Sequence, residues 1–401
     1  MVVARQLHQT SNCQNRLAPS GTFIDMGSDK ILILDSVYRD LLWSLPNIDP
    51  NEGSDLLSDI EDYWQDRDRN GYGNGAELSE NFISQGFDAR RIVVNDLHYN
   101  HTPRRNPPIQ NLRGDALSRL GPAGRYALSV SSMSKLILEV VDRWRPQFVY
   151  VMNPNFVAPW VIKGMQGKGS KVIAQISSYL PPKQFMSKYD LVITALPSIV
   201  EAMDELGVRS KLIPLWFNPK WENMAIAWGD RELRLIFSGS LGRHHQHTYR
   251  LLAAAKEVIP EMRIFATSDK RKAKKFGLLE NLGQPVFGKE MFQTLGNSQL
   301  VLNRHAKLAD NYSVNLRMFE ATGMGAALLT EKSSNLLDLF DEKTVFEYGS
   351  ISDLQEILQK YLSSPEIFSN AANQAMKRTR FEHNANVRAN QIAAAIRAII
   401  E

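Results

Sequence analysis

A chain of 401 residues is longer than a single hydrophobic core usually grows, so two domains are expected. The composition, 43% hydrophobic and 22% charged, is that of an ordinary globular protein. A formal net charge of +4, with lysines and arginines dispersed, does not mark a nucleic-acid binder. The single cysteine, Cys13, excludes an internal disulfide and a cysteine-based zinc site, which suits a reducing, cytoplasmic setting. No stretch approaches the roughly 18 apolar residues that span a bilayer, which leaves at most peripheral membrane contact.

Residues 1–28 are polar, have no apolar centre and read as a disordered extension rather than a secretory signal. From Lys30 onward short apolar runs alternate with helix-length amphipathic segments. The runs at 31–34, 92–94, 148–151, 172–174, 191–193 and 212–213 read as strands buried on both faces, the mark of a parallel sheet. The acidic, glycine-dotted span 43–75 reads as an irregular insertion near the mouth of that sheet. Prolines, tryptophans and a glycine without periodicity mark a linker at 217–232. A second series follows, with strands expected at 233–237, 262–266, 286–287, 300–302 and 326–329. One long terminal helix is expected from about Pro365 to the end, with Ile392, Ile396 and Ile399 on one face. The fold class is therefore α/β: two doubly wound, Rossmann-like domains with a cleft between them, over 29–216 and 233–366, and a helical segment over 367–401 packing back toward the first domain.

Two stretches carry chemistry. Ser238, Gly239, Ser240, Leu241 and Gly242 lie between a strand and a helical segment, where small residues let the backbone approach a phosphate, and Arg243 and Arg250 supply cations for a diphosphate. Asn303, Arg304 and His305 follow the strand at 300–302. Ser313, a natural N-cap, then opens a helix that carries Asn315, Leu316, Arg317 and Glu320. Arg317 and Glu320 are three apart on one face; they form either a structural ion pair or, through Glu320, a grip on two ribose hydroxyls. A base acting on an acceptor hydroxyl would come from the strand ends of the first domain, where Asp35, Asp96 and His98 stand; helix capping or loop hydrogen bonding is the alternative for each. His244, His245 and His247 lack an accompanying carboxylate, and no metal site is expected.

The segments 302–305, 315–323 and 328–330, with 287–291, resemble the C-terminal nucleotide-sugar domain of the spore-maturation-type (CgeB-like) glycosyltransferases, within the wider GT-B superfamily. The resemblance covers roughly 233–383 and is less specific in the first half. It implies a metal-independent glycosyltransferase without a cofactor, moving a sugar from a nucleoside diphosphate (UDP or GDP) held by the second domain to an acceptor held by the first. Glu320 aligns with the ribose-binding glutamate of that group. Gly239, Ser240 and the amides of Asn315 and Leu316 align with the diphosphate contacts, and Phe287, Gly288 and Met291 with the base contacts. Arg243 or Arg250 would offset charge on the leaving group, and His305 would touch sugar or phosphate. The first acid of the usual Glu-x7-Glu pair is Tyr312 here, and a lysine after the glycine-loop arginine and a first-domain histidine are missing, so stereochemistry is not implied. A GT-B epimerase or phosphorylase, or a non-catalytic nucleotide- or partner-binding module, are the competing expectations.

Overall fold

The computed structural model describes residues 29–37, 75–95, 122–241, 246–305 and 311–400. His98, Asp96, Arg243, His244, His245, the 1–28 extension and nearly all of the 43–75 insertion lie outside the described residues. The chain forms two six-stranded sheets, and every strand pair in them is parallel.

The first sheet has the order β2-β1-β3-β4-β5-β6. Its strands are β1 (Lys30–Asp35), β2 (Asp88–Val93), β3 (Phe148–Val151), β4 (Lys171–Gln175), β5 (Leu191–Thr194) and β6 (Ser210–Leu212). The central strands are uninterrupted apolar runs because helices cover both faces; β3 and β5 are buried at every position. Helices α2 (Pro122–Trp144), α3 (Pro159–Gly167) and α4 (Pro197–Glu205) contribute Ile137, Val161 and Ile199 to one face. Helix α1 (Gly75–Ser84) covers the other through Leu78 and Phe82. Gly75 is required where α1 starts, since a Cβ there would fall 2.3 Å from Asp35 Oδ2.

The second sheet has the order β12-β11-β10-β7-β8-β9, built from β7 (Leu233–Leu241), β8 (Arg263–Ser268), β9 (Leu282–Gly283), β10 (Ser298–Leu302), β11 (Ala327–Glu331) and β12 (Phe346–Tyr348). The chain steps outward from β7 to β8 and β9, returns to β10, and then steps the other way. The topological switch point therefore lies between β7 and β10, where α/β sheets of this kind bind ligands beyond the strand ends. Helices α5 (Gln246–Val258) and α8 (Ile351–Ser363) cover one face; α6 (Gly288–Gly296) and α7 (Leu316–Gly323) cover the other.

Three expectations are corrected. The run 286–287 is not a strand: Val286 is buried, Phe287 is the extended residue before α6, and the edge strand is the two-residue β9, paired with Ile264 and Phe265. Strand β7 runs on through Leu241, so Gly239 and Ser240 pair with Ala266 and Thr267 of β8 instead of forming a loop. The terminal helix is two helices, α9 (Pro365–Glu382) and α10 (Ala385–Arg397). Between them Asn384 bridges to Phe217 and its side chain accepts from the Val387 amide, which starts a new helix.

The link between the domains is well held. Arg231 donates to the carbonyls of Ile226, Ser298, Met324 and Gly325, which ties the linker to the second sheet. Phe217 packs so closely on α7 that a Cβ at Gly323 would lie 2.3 Å from its ring. Helix α10 then returns to the first domain, where Ala389, Ile392 and Ile396 are fully buried beside α1 and Trp216.

Candidate active site

Helix α7 exists because Met318, Phe319 and Ala321 bury one face in the core while its first turn is capped. The cap is Asn315, whose side chain accepts from the Met318 amide at 3.2 Å and donates to the Arg304 carbonyl. Ser313, expected in that role, is buried instead: its amide donates to Asn335 Oδ1 at 2.6 Å and its hydroxyl lies 3.2 Å from His305 Nε2. The helix starts two residues later than the sequence suggests because an Asn side chain reaches the orphan amide there.

Arg317 donates from Nε to the Ser238 carbonyl near the end of β7 and pairs through Nη1 with Glu320 Oε2 at 2.9 Å. The structure thus contains the ion pair that spacing allowed, on the helix nearest the switch point. Glu320 is 9% exposed, and burial raises its pKa above the usual carboxylate range while Arg317 opposes the rise. A second buried acid senses the charge of Glu320. Glu77, in the first turn of α1, is 7% exposed, and burial holds its pKa well above the ordinary value. The Trp216 indole offsets part of this, although neither Glu77 oxygen reaches ordinary hydrogen-bond geometry. The charges of Glu80 and Glu320 raise the Glu77 pKa further, and Lys220 lowers it. The charge of Glu320 on the second domain thus reaches Glu77 on the first.

On the other side of the loop after β10, Glu331 organises Arg304 and His305. One of its oxygens accepts from Arg304 Nε at 3.0 Å and the other from the His305 amide at 2.9 Å. His305 Nε2 lies 3.0 Å from the Glu331 carbonyl, which can only accept, so Nε2 carries the hydrogen. Burial lowers the His305 pKa, which favours the neutral ring. A cavity of about 570 Å³ opens here, lined in part by His247, Arg304, His305 and Lys332.

The site residues expected from sequence thus separate into groups. Arg317 and Glu320 stand at the ends of β7 and β10, next to the last residues of β7, where Gly239 and Ser240 are exposed. Arg304 and His305 line the adjacent cavity, which Glu320 does not line. Arg250 is exposed on α5 and does not line it either. Phe287 is half-buried against the first domain's core, as is Val314, so the two domains touch on either side of the α7 N-terminus. Gly288 has φ +52°, a conformation that favours glycine, and Met291 is buried beneath it. Asp35 is 2% exposed and ion-paired with Arg91 at 2.8 Å, and it accepts from the Ser36 amide. Both carboxylate oxygens are engaged, and the geometry is that of a structural anchor. Glu77, Glu331 and Lys332 went unremarked in the sequence. For Glu331 a signal existed, an acid closing the apolar run of β11; for Glu77 none did, because its burial depends on the linker and α10. Among the described residues no group of three or more His, Cys, Asp or Glu could hold a metal, and no helix is long and apolar enough to cross a membrane.

Residues 243–394, less than half of the chain, match a family described as glycosyl transferase-like. No curated protein matches the chain in sequence. Among solved structures, a sucrose-phosphate synthase from Thermosynechococcus elongatus superposes with a TM-score of 0.61 at 12% identity, over 93% of this chain and 99% of that one. A glycosyltransferase from Rickettsia africae gives 0.58 at 10% identity, over 93% and 99%. HepE from Anabaena, in complex with UDP-glucose, gives 0.54 at 14% identity, over 92% and 99%. At these identities the likeness establishes the fold: two six-stranded parallel sheets with surrounding helices, the GT-B arrangement.

Proposed function

We propose that the chain is a nucleotide-sugar-dependent glycosyltransferase whose donor nucleotide binds beyond the ends of β7 and β10. One observation carries this reading: the Arg317–Glu320 pair on α7, with Arg317 reaching the Ser238 carbonyl at the topological switch point. The family match over 243–394 and the GT-B fold support it. The finer kinship with spore-maturation-type enzymes rests on the 302–305, 315–323 and 328–330 motifs.

In this reading the Glu320 carboxylate accepts from two ribose hydroxyls. Arg317, released from that pairing, turns its charge toward the diphosphate, which carries most of the developing negative charge as the glycosidic bond breaks. The Leu316 amide at the start of α7 and the exposed backbone at Gly239 and Ser240 lie at the diphosphate. The base stacks on Phe287, next to the left-handed Gly288. The acceptor binds against the first domain, and its hydroxyl oxygen attacks the anomeric carbon as the nucleoside diphosphate leaves. The favoured donor base is uracil, by analogy with the UDP-glucose complex of HepE. Incubation with a panel of UDP- and GDP-sugars tests the proposal: release of free nucleoside diphosphate is expected with at least one donor. Silence across the panel, with no nucleotide binding, would refute it.

A further inference from the structure

We propose that the second domain carries a docking surface for an anionic membrane, formed by the short helix Lys270–Lys275 and the Leu279 side chain beyond it.

The dispersal of lysines and arginines along the chain fails at this one place. The helix reads Lys270, Arg271, Lys272, Ala273, Lys274, Lys275. It forms because Asp269 caps it, accepting from the Arg271 and Lys272 amides, and because Ala273 packs into the core of the second domain. Gly277, at φ +70°, ends the turn and lets Leu278 reach the same core. Within the helix Ala273 alone is buried, and Lys270, Arg271, Lys274 and Lys275 are exposed.

None of these four exposed cations makes an ion pair among the described residues. Over 269–280 five cations stand against two acids, Asp269 and Glu280, an excess of three where the whole chain carries +4. Lys256 of α5 donates to the Gly277 carbonyl at 2.6 Å and stands beside the run; Glu257 follows it, so the excess is unchanged. A solvated helix face usually mixes its signs. Here like charges gather along about 9 Å of helix, within the ~8–10 Å over which charges act together in physiological salt. Their repulsion costs stability, and an anionic surface outside the molecule would offset it.

The chemistry selects a lipid surface over nucleic acid. Four of the five cations are lysines, compact charges suited to mobile headgroups, whereas a nucleic-acid backbone favours the arginine fork. The ring in the run is not free to stack on a base: Phe276 is half-buried and stacked on Tyr249 at 5.6 Å. Leu279 is 45% exposed, an apolar foot beside the cations of the kind that enters a headgroup layer.

The surface lies at the outer side of the second sheet, since the helix connects β8 to the edge strand β9. The helix starts just past the C-terminal end of β8, which pairs with the end of β7. The same end of the sheet holds the proposed donor site. A docked domain would therefore present its donor toward an acceptor carried in the membrane. That consequence rests on the transferase reading; the docking surface does not.

The test is cosedimentation of the full chain, without nucleotide, with vesicles of phosphatidylcholine alone or mixed in equal parts with phosphatidylserine. Binding is expected only to the mixed vesicles, and raised salt should weaken it. Lys274→Ala combined with Lys275→Ala keeps good helix formers and should weaken binding about 30-fold, roughly fivefold for each cation, at an unchanged melting temperature. Leu279→Ser should weaken it severalfold. Lys360→Ala combined with Lys377→Ala, the same loss of charge on α8 and α9, should leave it within about twofold. Equal binding to phosphatidylcholine alone, no binding to either vesicle, indifference to the lysine or leucine substitutions, or an equal loss in the α8 and α9 variant would overturn the surface. Tighter binding to a single-stranded RNA oligonucleotide than to the mixed vesicles at the same salt would overturn it too, and would assign the helix to nucleic acid. Because nucleotide is absent, the result stands apart from whether UDP binds.

Discussion

Acidification should weaken this fold through one residue, His383, at the joint between α9 and α10. Its ring is 6% exposed and packs 5.2 Å from Phe319 and 6.1 Å from Phe340. Nε2 lies 2.8 Å from the Leu339 carbonyl and must donate; Nδ1 faces Arg388 Nη2 at 2.5 Å and must accept. Arg388 itself donates onward to the Pro214 and Glu382 carbonyls, so it has no freedom to retreat. A proton on Nδ1 would set two cationic donors against each other. Burial first, and Arg388 second, therefore lower the His383 pKa from 6.5 to about 4. The unfolded chain binds this proton more tightly than the folded one, so folding stability is intact above pH 6.5. It is lost progressively as pH falls toward 4. Between pH 7.5 and pH 5 the loss from this group is about 2 kcal/mol. His383→Asn keeps an acceptor facing Arg388 and cannot titrate. Urea unfolding at both pH values should show the wild type losing about 2 kcal/mol more than the variant over that interval. Parallel pH profiles for the two proteins would refute the reasoning.

Glu77 has the opposite sign: its folded pKa is raised, so its neutral form is fully accommodated below about pH 4.5 and stability declines as pH rises through the folded value. Glu77→Gln should be more stable than wild type at pH 8 by urea unfolding and equal to it near pH 4; a destabilised variant at pH 8 would show that the ionised carboxylate has a partner. Gly323→Ala should cost about 1–3 kcal/mol, read as a lower melting temperature, because the new methyl overlaps Phe217 at 2.3 Å. Asp35→Asn should lose about 3 kcal/mol by removing one charge of the buried pair with Arg91. Unchanged stability together with abolished nucleotide release would return Asp35 to catalysis.

Much of the architecture was legible because parallel strands buried on both faces must be apolar throughout, and the runs at 148–151 and 191–193 coincide with β3 and β5. Strands whose existence depends on a neighbour were not. The register of β7 against β8 carries the strand through Gly239 and Ser240, which local propensity reads as a turn. Strand β12 has three residues, too few for an alternation to register, and the break at His383 and Asn384 follows from pairing with Phe217, far away in sequence. The candidate site divides along the same line. The spacing of Arg317 and Glu320 fixed their mutual geometry, since three residues on a helix make neighbours. The burial of Glu77 and the commitment of Asp35 to Arg91 are tertiary events, arising from contacts with residues 139 and 56 positions away in Trp216 and Arg91.

The proposed donor site turns on a carboxylate, Glu320, that would exchange an arginine for a pentose. Isothermal titration of UDP and GDP against wild type and Glu320→Gln addresses it directly, with melting temperature as the control for folding. Loss of two charge-assisted hydrogen bonds should weaken the preferred nucleotide by roughly 1.5–3 kcal/mol, about 10–150-fold, without unfolding the variant. Equal affinity for the two proteins would contradict the assignment of Glu320 to the ribose.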